Sequence, residues 1–401
     1  MENKEHKPVK IKVIGVGGAG NNAINLLLNE HLPNIELWVA NTDYQDLELS
    51  ACTNKIYLKG STEGYGAGGN PELGKKSAED SVRDIEEALK NANLAIITAG
   101  LGGGTGTGAA PVIAKKAKES GITTLGVVFM PFSELEGVKK LNLAQKGLAE
   151  MAKYCDAYVV ISNQKLIESY GAVNTSQAFK VANENLKNAI MIISDIVNTN
   201  YDINVDFNDL KETLKNGQQT FIGLGKGFGK DAMLKAVENV FKNVLSDKEL
   251  INPSKLLMVM KVQNSGLNLV NEAKKLISEK FKAQDEQLNI CFGFSTITPA
   301  TSDHDAAFDI SLIASGFDGK EKIESPKVED KLLDNLELEN ENEEVLQITQ
   351  SISLIENENQ LAAFQTEETD LPQNWDDNEE EEEITVHSNK KPGFFGRLFK
   401  K

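Results

Sequence analysis

The sequence is poor in the residues that build metal centres and disulfide frameworks. Its 401 residues include three cysteines and four histidines. The cysteines, Cys52, Cys155 and Cys291, lie far apart and match no metal-ligand spacing. Their scatter and odd number exclude a disulfide-stabilised scaffold, and no metal-ligating residues are expected. We expect the three thiols to behave as small buried hydrophobic groups in a reducing cytoplasm.

Long hydrophobic runs are absent as well. No apolar run approaches the roughly 18 residues that a transmembrane helix needs. The polar residues 1–7 contain no signal-peptide core. With 40% hydrophobic residues and a mean hydropathy of -0.32, the composition predicts a water-soluble cytoplasmic protein.

Positive charge is scarce over most of the chain, whose net charge is -18. Residues 319–389 hold 22 acidic residues and four lysines, and their Glu/Asn/Gln-rich composition predicts a disordered acidic linker. Residues 390–401 carry five Lys and Arg. The remaining chain is only mildly acidic, which argues against nucleic acid as a partner.

What the sequence does contain is an alternation of apolar strands and helices. Over residues 1–175 this alternation predicts an α/β domain with a doubly wound parallel sheet. The predicted strands are 9–15, 36–41, 94–99, 124–130 and 157–162, and the predicted helices are 21–29, 74–91, 109–120 and 137–154.

The second half of the chain has a different pattern. Residues 176–199 show one apolar stripe at helical spacing, which predicts a long central helix within a connecting segment, 176–205. Residues 206–318 predict a smaller α+β domain. Its predicted helices are 207–216, 231–243 and 267–281, and its predicted strands are 219–225, 255–262, 289–298 and 307–315.

A glycine-rich loop, residues 102–108, follows the strand 94–99. It holds five glycines and two threonines, and the predicted helix 109–120 follows it with Pro111 in its first turn. Glycines let a backbone approach a ligand closely. The free N–H groups and the positive end of a helix attract anions. The segment therefore predicts a phosphate-binding loop.

Three further polar loops lie at the carboxyl ends of predicted strands or in the loops there. Residues 15–22 fit G-x-G-x-x-G, residues 66–71 are rich in glycine, and residues 40–43 read Ala-Asn-Thr-Asp. The first loop with Asp43 could bind NAD, which leaves an oxidoreductase as the alternative. That alternative does not explain the loop 102–108, and no histidine lies where a hydride-transfer acid is expected. Several phosphate loops around one pocket favour a triphosphate, although the Walker A pattern is absent.

These four loops resemble, in order and spacing, the nucleotide loops of the tubulin/FtsZ superfamily. Residues 204–209, Asn-Val-Asp-Phe-Asn-Asp, resemble the co-catalytic loop of the FtsZ family within it. The resemblance covers residues 9–318. It implies a self-assembling GTPase that forms head-to-tail protofilaments and organises the division ring at mid-cell. It also implies that GTP is hydrolysed across the subunit interface.

The resemblance assigns residues to GTP with its Mg²⁺ and to catalysis. Asn21, Phe179 and Asn183 would contact the base, and Glu136 the ribose. The GTP-binding set comprises Gly17, Gly18, Ala19, Gly20, Asn21, Asn41, Asp43, Gly68, Gly69, Asn70, Gly103, Gly104, Thr105, Gly106, Thr107, Glu136, Lys140, Phe179, Asn183 and Glu184. The catalytic set, which would act on the nucleotide of the next subunit, comprises Asp206, Asp209 and Asn204. The alternative for Asp206 is that it only caps the helix that follows.

Three positions depart from the family pattern. Residues 131–137 are one residue longer, so that either Glu136 or Glu134 could meet the ribose. Lys140 stands where the family has an arginine, and it lacks the bidentate guanidinium fork, so we expect slower hydrolysis. Glu184 replaces a base-reading aspartate. These departures leave open a divergent relative that assembles but hydrolyses GTP poorly.

The final segment, residues 390–401, combines aromatic and basic side chains. We expect it to dock on a membrane-tethering adaptor of the division machinery. Direct contact with an anionic membrane is the second possibility. A basic end that only improves solubility is the third.

Overall fold

The computed structural model describes residues 8–60, 62–165, 175–242, 250–263, 266–284, 288–296 and 308–318, without the side chains of residues 175–179. The predicted acidic linker 319–389 and the peptide 390–401 lie outside the described residues. In the part that is described, no helix combines the length and the apolar composition needed to cross a bilayer.

The first sheet has seven parallel strands in the order β3-β2-β1-β4-β5-β6-β7. Its strands are β1 (Ile11–Val16), β2 (Ile35–Asn41), β3 (Asn54–Tyr57), β4 (Leu94–Gly100), β5 (Thr123–Met130), β6 (Ala157–Ser162) and β7 (Gln218–Gln219). Its central strands are buried on both faces, which explains their nearly continuous apolar runs. The predicted doubly wound parallel sheet is confirmed.

Helices cover both faces of this sheet. They are α1 (Gly17–Leu27), α2 (Tyr44–Leu49), α3 (Pro71–Asp80), α4 (Val82–Leu89), α5 (Thr105–Glu119), α6 (Ser133–Glu136), α7 (Val138–Ala152) and α8 (Thr175–Asn198). Helices α1 and α8 pack on one face, and α3, α4, α5 and α7 pack on the other. Helix α8 is the predicted central helix, and Ala182, Leu186, Ile190 and Ile193 form its buried stripe.

The second sheet has four strands in the order β10-β9-β11-β8. They are β8 (Phe221–Gly227), β9 (Pro253–Val262), β10 (Asn289–Thr296) and β11 (Phe308–Phe317), and the helices of this part are α9 (Phe207–Leu214), α10 (Ala232–Lys242) and α11 (Leu267–Lys280). Leu257, Val259 and Ile313 of this sheet join the core that contains α8. The two sheets therefore share one apolar core along α8.

Several element boundaries differ from the predictions. The helix predicted over 74–91 is two helices that meet at Ser81. The strand predicted over 219–225 is also divided, because Gln218–Gln219 pair with Ala157 and Tyr158 in the first sheet while β8 starts the second. The division of the chain into domains stays a prediction.

The starting points of two helices were predicted wrongly. Helix α1 starts at Gly17 rather than at residue 21, and α5 starts at Thr105 rather than at residue 109. Pro111 consequently lies in the second turn of α5, where its ring cannot donate to the Thr107 carbonyl. Both helices start within glycine-rich sequence because tertiary packing outweighs the low helix propensity of glycine.

Candidate functional site

The carboxyl ends of three neighbouring strands lie side by side at one edge of the seven-stranded sheet. Val16, which ends β1, pairs with Ala40 of β2 on one side and with Ala99 of β4 on the other. We call this the carboxyl edge and the opposite one the amino edge. In open parallel sheets, ligands bind beyond the carboxyl ends of the strands. The loops that were predicted to bind phosphate start here.

Helices α1 and α5 start next to each other at this edge. Gly17 has φ 72°, and a Cβ on it would lie 3.0 Å from the amide nitrogen of Gly106. A Cβ on Gly106 would lie 2.3 Å from the Gly100 carbonyl oxygen. Only glycine permits this approach of helix to helix and of helix to strand. Two positive helix ends consequently converge on one place, which favours an anion there.

The first turn of α5 has backbone donors to offer. The N-cap residue of α5 is Gly104, which has no side chain to accept a hydrogen bond from the helix start. The Gly108 N–H donates to the Gly104 carbonyl at 3.0 Å. The amides of Thr105, Gly106 and Thr107 precede that bond and lack partners within the helix. They are therefore available to an oxyanion.

The two threonine side chains of this loop hold the loops together. The hydroxyl of Thr107 accepts a 2.8 Å hydrogen bond from the Gly102 N–H and is buried. The hydroxyl of Thr105 lies 2.6 Å from that of Thr42, which follows β2. Thr42 was not among the predicted site residues. Its hydroxyl links the loop after β2 to the loop after β4.

The loop 66–71 also lies at the carboxyl edge, beside the loop 102–108. A Cβ on Gly104 would lie 2.7 Å from the Ala67 Cβ, so this loop touches the loop 102–108. Gly68 and Gly69 have φ 55° and 77°, and Asn70 caps α3 by accepting the Glu72 N–H at 3.0 Å. Among the described residues no atom lies within 4 Å of the Cβ positions of Gly68, Gly69 or Gly103 beyond their chain neighbours. These three glycines face open space in which a ligand fits.

The exposed start of α1 contributes two more predicted residues. Gly18 and Ala19 are exposed, and a Cβ on Gly18 would lie 3.7 Å from the Asp46 carboxylate. Gly20 packs against the Thr98 carbonyl, with a Cβ position only 2.7 Å from it. Ala19 and Gly18 can therefore contact a ligand, whereas Gly20 fixes α1 against the sheet.

Asn21, Asn41 and Asp43 are engaged with the protein itself. The buried Asn21 amide nitrogen, when turned towards the strand end, donates to the carbonyls of Gly15 at 3.0 Å and Gly17 at 3.2 Å. Asn41 accepts the Asp43 N–H at 3.3 Å, and Asp43 caps α2 by accepting the Asp46 N–H at 3.1 Å. Their first role is thus to fix the shape of the loops.

Glu136 and Lys140 form an ion pair beside the loop 102–108. The Glu136 carboxylate accepts the Phe132 N–H at 2.9 Å and also binds the Lys140 ammonium. The Lys140 chain packs on Gly102, whose φ is 96° and whose Cβ position lies 2.8 Å from the Lys140 Cγ. Glu134 is exposed and has no part in this pair. Which glutamate meets the ribose stays a prediction.

The predicted base-binding residues lie on α8. Asn183 is half-buried and Glu184 is exposed, whereas the side chain of Phe179 lies outside the described residues. Asn163, directly after β6, is 7% exposed, and its amide oxygen has no hydrogen-bond partner among the described residues. Asn163 was not among the predicted site residues. Its unsatisfied buried acceptor is a structural signal that the sequence does not show.

The acidic pair Asp206 and Asp209 stands at the start of α9. Asp206 accepts the N–H groups of Asn208 at 2.8 Å and of Asp209 at 3.2 Å, and Asp209 accepts the Asp206 N–H at 2.9 Å. This is a reciprocal capping box. Asp206 therefore does cap α9, and whether capping is its only role stays a prediction. Asp206 is exposed and Asp209 is half-buried.

Other contacts fix α9 and the loop before it. The Lys255 ammonium donates to the carbonyls of Glu212 at 2.6 Å and Lys215 at 2.9 Å, at the end of α9. Asn204 is exposed, and its side-chain oxygen accepts the Tyr201 N–H at 3.2 Å. The predicted catalytic set therefore lies on a segment that several hydrogen bonds fix in place.

The structure does not bring the acidic pair together with the glycine loops. Asn198, at the end of α8, bonds Pro33 and Asn34, just before β2 starts. Soon after α9, β7 pairs with the first residues of β6. Both contacts place this region at the amino edge. A six-residue strand separates the two edges by roughly 20 Å.

Within the described residues, no three His, Cys, Asp or Glu side chains come together in a way that could hold a metal ion. The Mg²⁺ that the resemblance implies stays a prediction.

Comparison with known proteins decides the family. The model of the Tubulin/FtsZ family, GTPase domain, matches residues 10–171. A cell division protein FtsZ from Mycoplasmopsis pulmonis is 37% identical over 315 residues, which are 79% of this chain and 79% of that protein. The chain belongs to the FtsZ family.

Further FtsZ relatives extend this result. The cell division protein FtsZ of Rickettsia felis is 37% identical over 412 residues, covering 99% of this chain and 89% of that protein. The solved structure of an empty FtsZ dimer from M. jannaschii has a TM-score of 0.68 at 32% identity and covers 78% of this chain and 89% of that chain. As a member of the FtsZ family, the chain is a tubulin-like cell division GTPase that converts GTP to GDP and phosphate. The oxidoreductase alternative is set aside.

We expect Gly103→Ala to weaken binding of guanine nucleotide to this FtsZ-family chain by about tenfold. The added methyl group meets no described protein atom within 4 Å, so it narrows only the ligand space and leaves thermal stability unchanged. Gly106→Ala is the contrasting variant. Its methyl group would lie 2.3 Å from the Gly100 carbonyl oxygen, and we expect it to destabilise the fold by about 1–3 kcal/mol. Fluorescence titration and thermal unfolding measure both effects, and wild-type affinity in Gly103→Ala would contradict the assignment.

Proposed function

We propose that GTP binds at the carboxyl edge of one subunit and is hydrolysed with the help of Asp206 and Asp209 from the amino edge of the next. The observation that carries this proposal is that the glycine loops and the acidic pair lie at opposite edges of one sheet. A rigid sheet roughly 20 Å deep keeps them apart within one chain. A second copy, stacked in the same orientation, would bring them together.

The phosphates of GTP would lie at the starts of α1 and α5. The phosphate oxygens would accept hydrogen bonds from backbone amides at both helix starts. These are the amides of residues 17–20 and of Gly104, Thr105, Gly106 and Thr107. The open glycines Gly68 and Gly69 and the cap residue Asn70 would face the γ-phosphate. Two converging helix starts supply the positive potential that a triphosphate requires.

The base and the ribose would lie between α1 and α8. Asn21, Phe179, Asn183 and Glu184 would surround the base, and Glu136 the ribose. We add Asn163 to this set, because its buried amide oxygen has no partner among the described residues and could accept a hydrogen bond from guanine. Asn41 and Asp43 would support the site by holding the loop after β2.

Hydrolysis transfers the γ-phosphoryl group of GTP to water and breaks its bond to the β-phosphate. This reaction needs a positioned water molecule and stabilisation of charge more than covalent catalysis. The carboxylates of the exposed Asp206 and the half-buried Asp209, with Asn204, would orient the water, while Mg²⁺ would neutralise the phosphates. The capping box sets the direction of both carboxylates.

Such a contact joins unlike surfaces, the carboxyl edge of one subunit to the amino edge of another. Head-to-tail contacts that do not close into a ring produce open filaments. The FtsZ dimer of M. jannaschii supports self-association of this fold. Hydrolysis would then occur only in the polymer, and it would change the interface that contains the nucleotide.

Mixing two inactive variants tests this arrangement. Asp209→Asn disables the amino edge, and Gly103→Phe fills the ligand space at the carboxyl edge. Neither variant alone should hydrolyse GTP. In an equimolar mixture, about a quarter of random contacts join two intact edges, so phosphate release should reappear.

The control is a double variant that carries both changes in one chain, because its mixture with Asp209→Asn contains no contact between two intact edges. Circular dichroism checks that every variant is folded. A mixture of two folded single variants that stays inactive would show that the acidic pair does not act across an interface.

Substitution of Lys140 tests whether the phosphate-binding edge needs a cation for GTP turnover. Lys140→Ala should lower GTP turnover per assembled subunit by about five- to tenfold, because a cation beside the loop 102–108 is lost. Lys140→Arg should raise turnover above that of the wild type, because the guanidinium can bind phosphate through two donors. Lys139→Ala, an exposed neighbour on the same helix, is the matched control. Wild-type turnover in Lys140→Ala would refute this role.

We also propose that residues 390–401 link the filament, in the cytoplasm at the mid-cell division site, to the membrane through an adaptor. Many copies of a weak peptide on one filament would bind with high avidity. Sedimentation with bare anionic liposomes distinguishes the two modes of attachment. We expect no co-sedimentation of polymer without an adaptor. Co-sedimentation that requires residues 390–401 would instead establish direct contact with lipid.

A further inference from the structure

Strand β10 forms the support of the loop that carries the acidic pair. Ile203 and Phe294 exchange two backbone hydrogen bonds, each 3.0 Å long. The Thr296 N–H donates to the Asp202 carboxylate at 3.0 Å. The segment that precedes Asp206 is thus bound to β10 almost as an added strand.

A close approach fixes this loop against the strand. The Cβ position of Gly293 lies 2.9 Å from a methyl group of Val205, and Val205 is 2% exposed. Any side chain at Gly293 would push the loop outwards. Cys291 stands two residues before Gly293, on the same face of β10, because side chains alternate along a strand. This register places Cys291 beside the start of α9.

The half-buried thiol of Cys291 lies close to the Asp209 carboxylate. Burial and the neighbouring carboxylates of Asp209 and Asp206 together raise the pKa of Cys291 to about 11. The group is therefore a neutral S–H donor throughout the physiological range. A protonated thiol is a poor nucleophile, so we do not assign Cys291 a role in covalent chemistry.

We propose that Cys291 is a positioning residue for GTP hydrolysis, whose S–H group orients the Asp209 carboxylate towards the nucleotide of the neighbouring subunit. The proposal rests on the proposed function of Asp209. That carboxylate already accepts the Asp206 N–H at 2.9 Å, and the thiol would be its second donor. Two donors would restrict rotation of the carboxylate. A thiol is a weak donor, so it restricts the carboxylate without neutralising its charge.

Exchange of Cys291 for residues with and without a donor tests the role. Cys291→Ala should lower GTP turnover per assembled subunit by about three- to tenfold, which is the effect of one weak hydrogen bond. The critical concentration for assembly with a non-hydrolysable GTP analogue should stay unchanged. Cys291→Ser keeps a donor of similar size and should restore turnover to within about twofold of the wild type. Equal turnover in the alanine and serine variants would overturn the proposal.

A measurement without turnover tests the contact itself. Cys52 and Cys155 are buried, so Cys291 is the thiol that a small alkylating reagent reaches in the unassembled, GDP-bound protein. Asp209→Asn removes the charge that raises the pKa of Cys291 and should speed its alkylation severalfold at about pH 8.5. An unchanged alkylation rate would overturn the contact between the two side chains.

The same variants distinguish a failure of the proposed function of Asp209 from a failure of the positioning role of Cys291. If Asp209→Asn retains wild-type turnover, the proposed function of Asp209 fails, and the positioning role fails with it. If Asp209→Asn abolishes turnover while Cys291→Ala leaves it unchanged, only the positioning role is overturned.

Discussion

The parallel direction of the seven strands is the constraint on which the rest of the structure depends. Parallel strands have all their carboxyl ends at one edge, so the loops after β1, β2 and β4 meet there. A chain that leaves the last long strand must return along the sheet. Helix α8 makes this return with 24 residues, a length of about 36 Å. The loop that follows it therefore lies at the amino edge, and the separation of the two residue sets is a consequence of sheet polarity.

The glycines of the carboxyl edge have two different functions. Gly20 and Gly106 permit helices to approach strand carbonyls to distances that any Cβ would prevent. Gly68, Gly69 and Gly103 face open space, where the absence of a side chain leaves room for a ligand. In the sequence these two kinds of glycine are indistinguishable. They can be told apart only when the positions of the neighbouring backbone atoms are known.

Much of this arrangement can be predicted from the sequence, because strong local patterns determine it. The apolar runs of the parallel strands, the stripe of α8 and the glycine loops were all recognisable. The starts of α1 and α5 were not, because tertiary contact makes Gly17 and Thr105 helical against their local preference. Asn163 and Thr42 were missed for a related reason. Their signals, an unsatisfied buried oxygen and a bond between two loops, exist only in three dimensions.

The boundary between β7 and β8 could not be predicted either, because a single run of residues serves two sheets. Gln218 and Gln219 belong to the seven-stranded sheet and Phe221 to the four-stranded one, so Thr220 alone connects the two along this route. Its N–H is bound to the Tyr158 carbonyl at 2.8 Å. A rotation of the smaller sheet would therefore act on the backbone dihedral angles of one residue and would strain the start of β6. This connection transmits torque between the sheets, and flexibility between them would have to come from the longer path through residues 199–206.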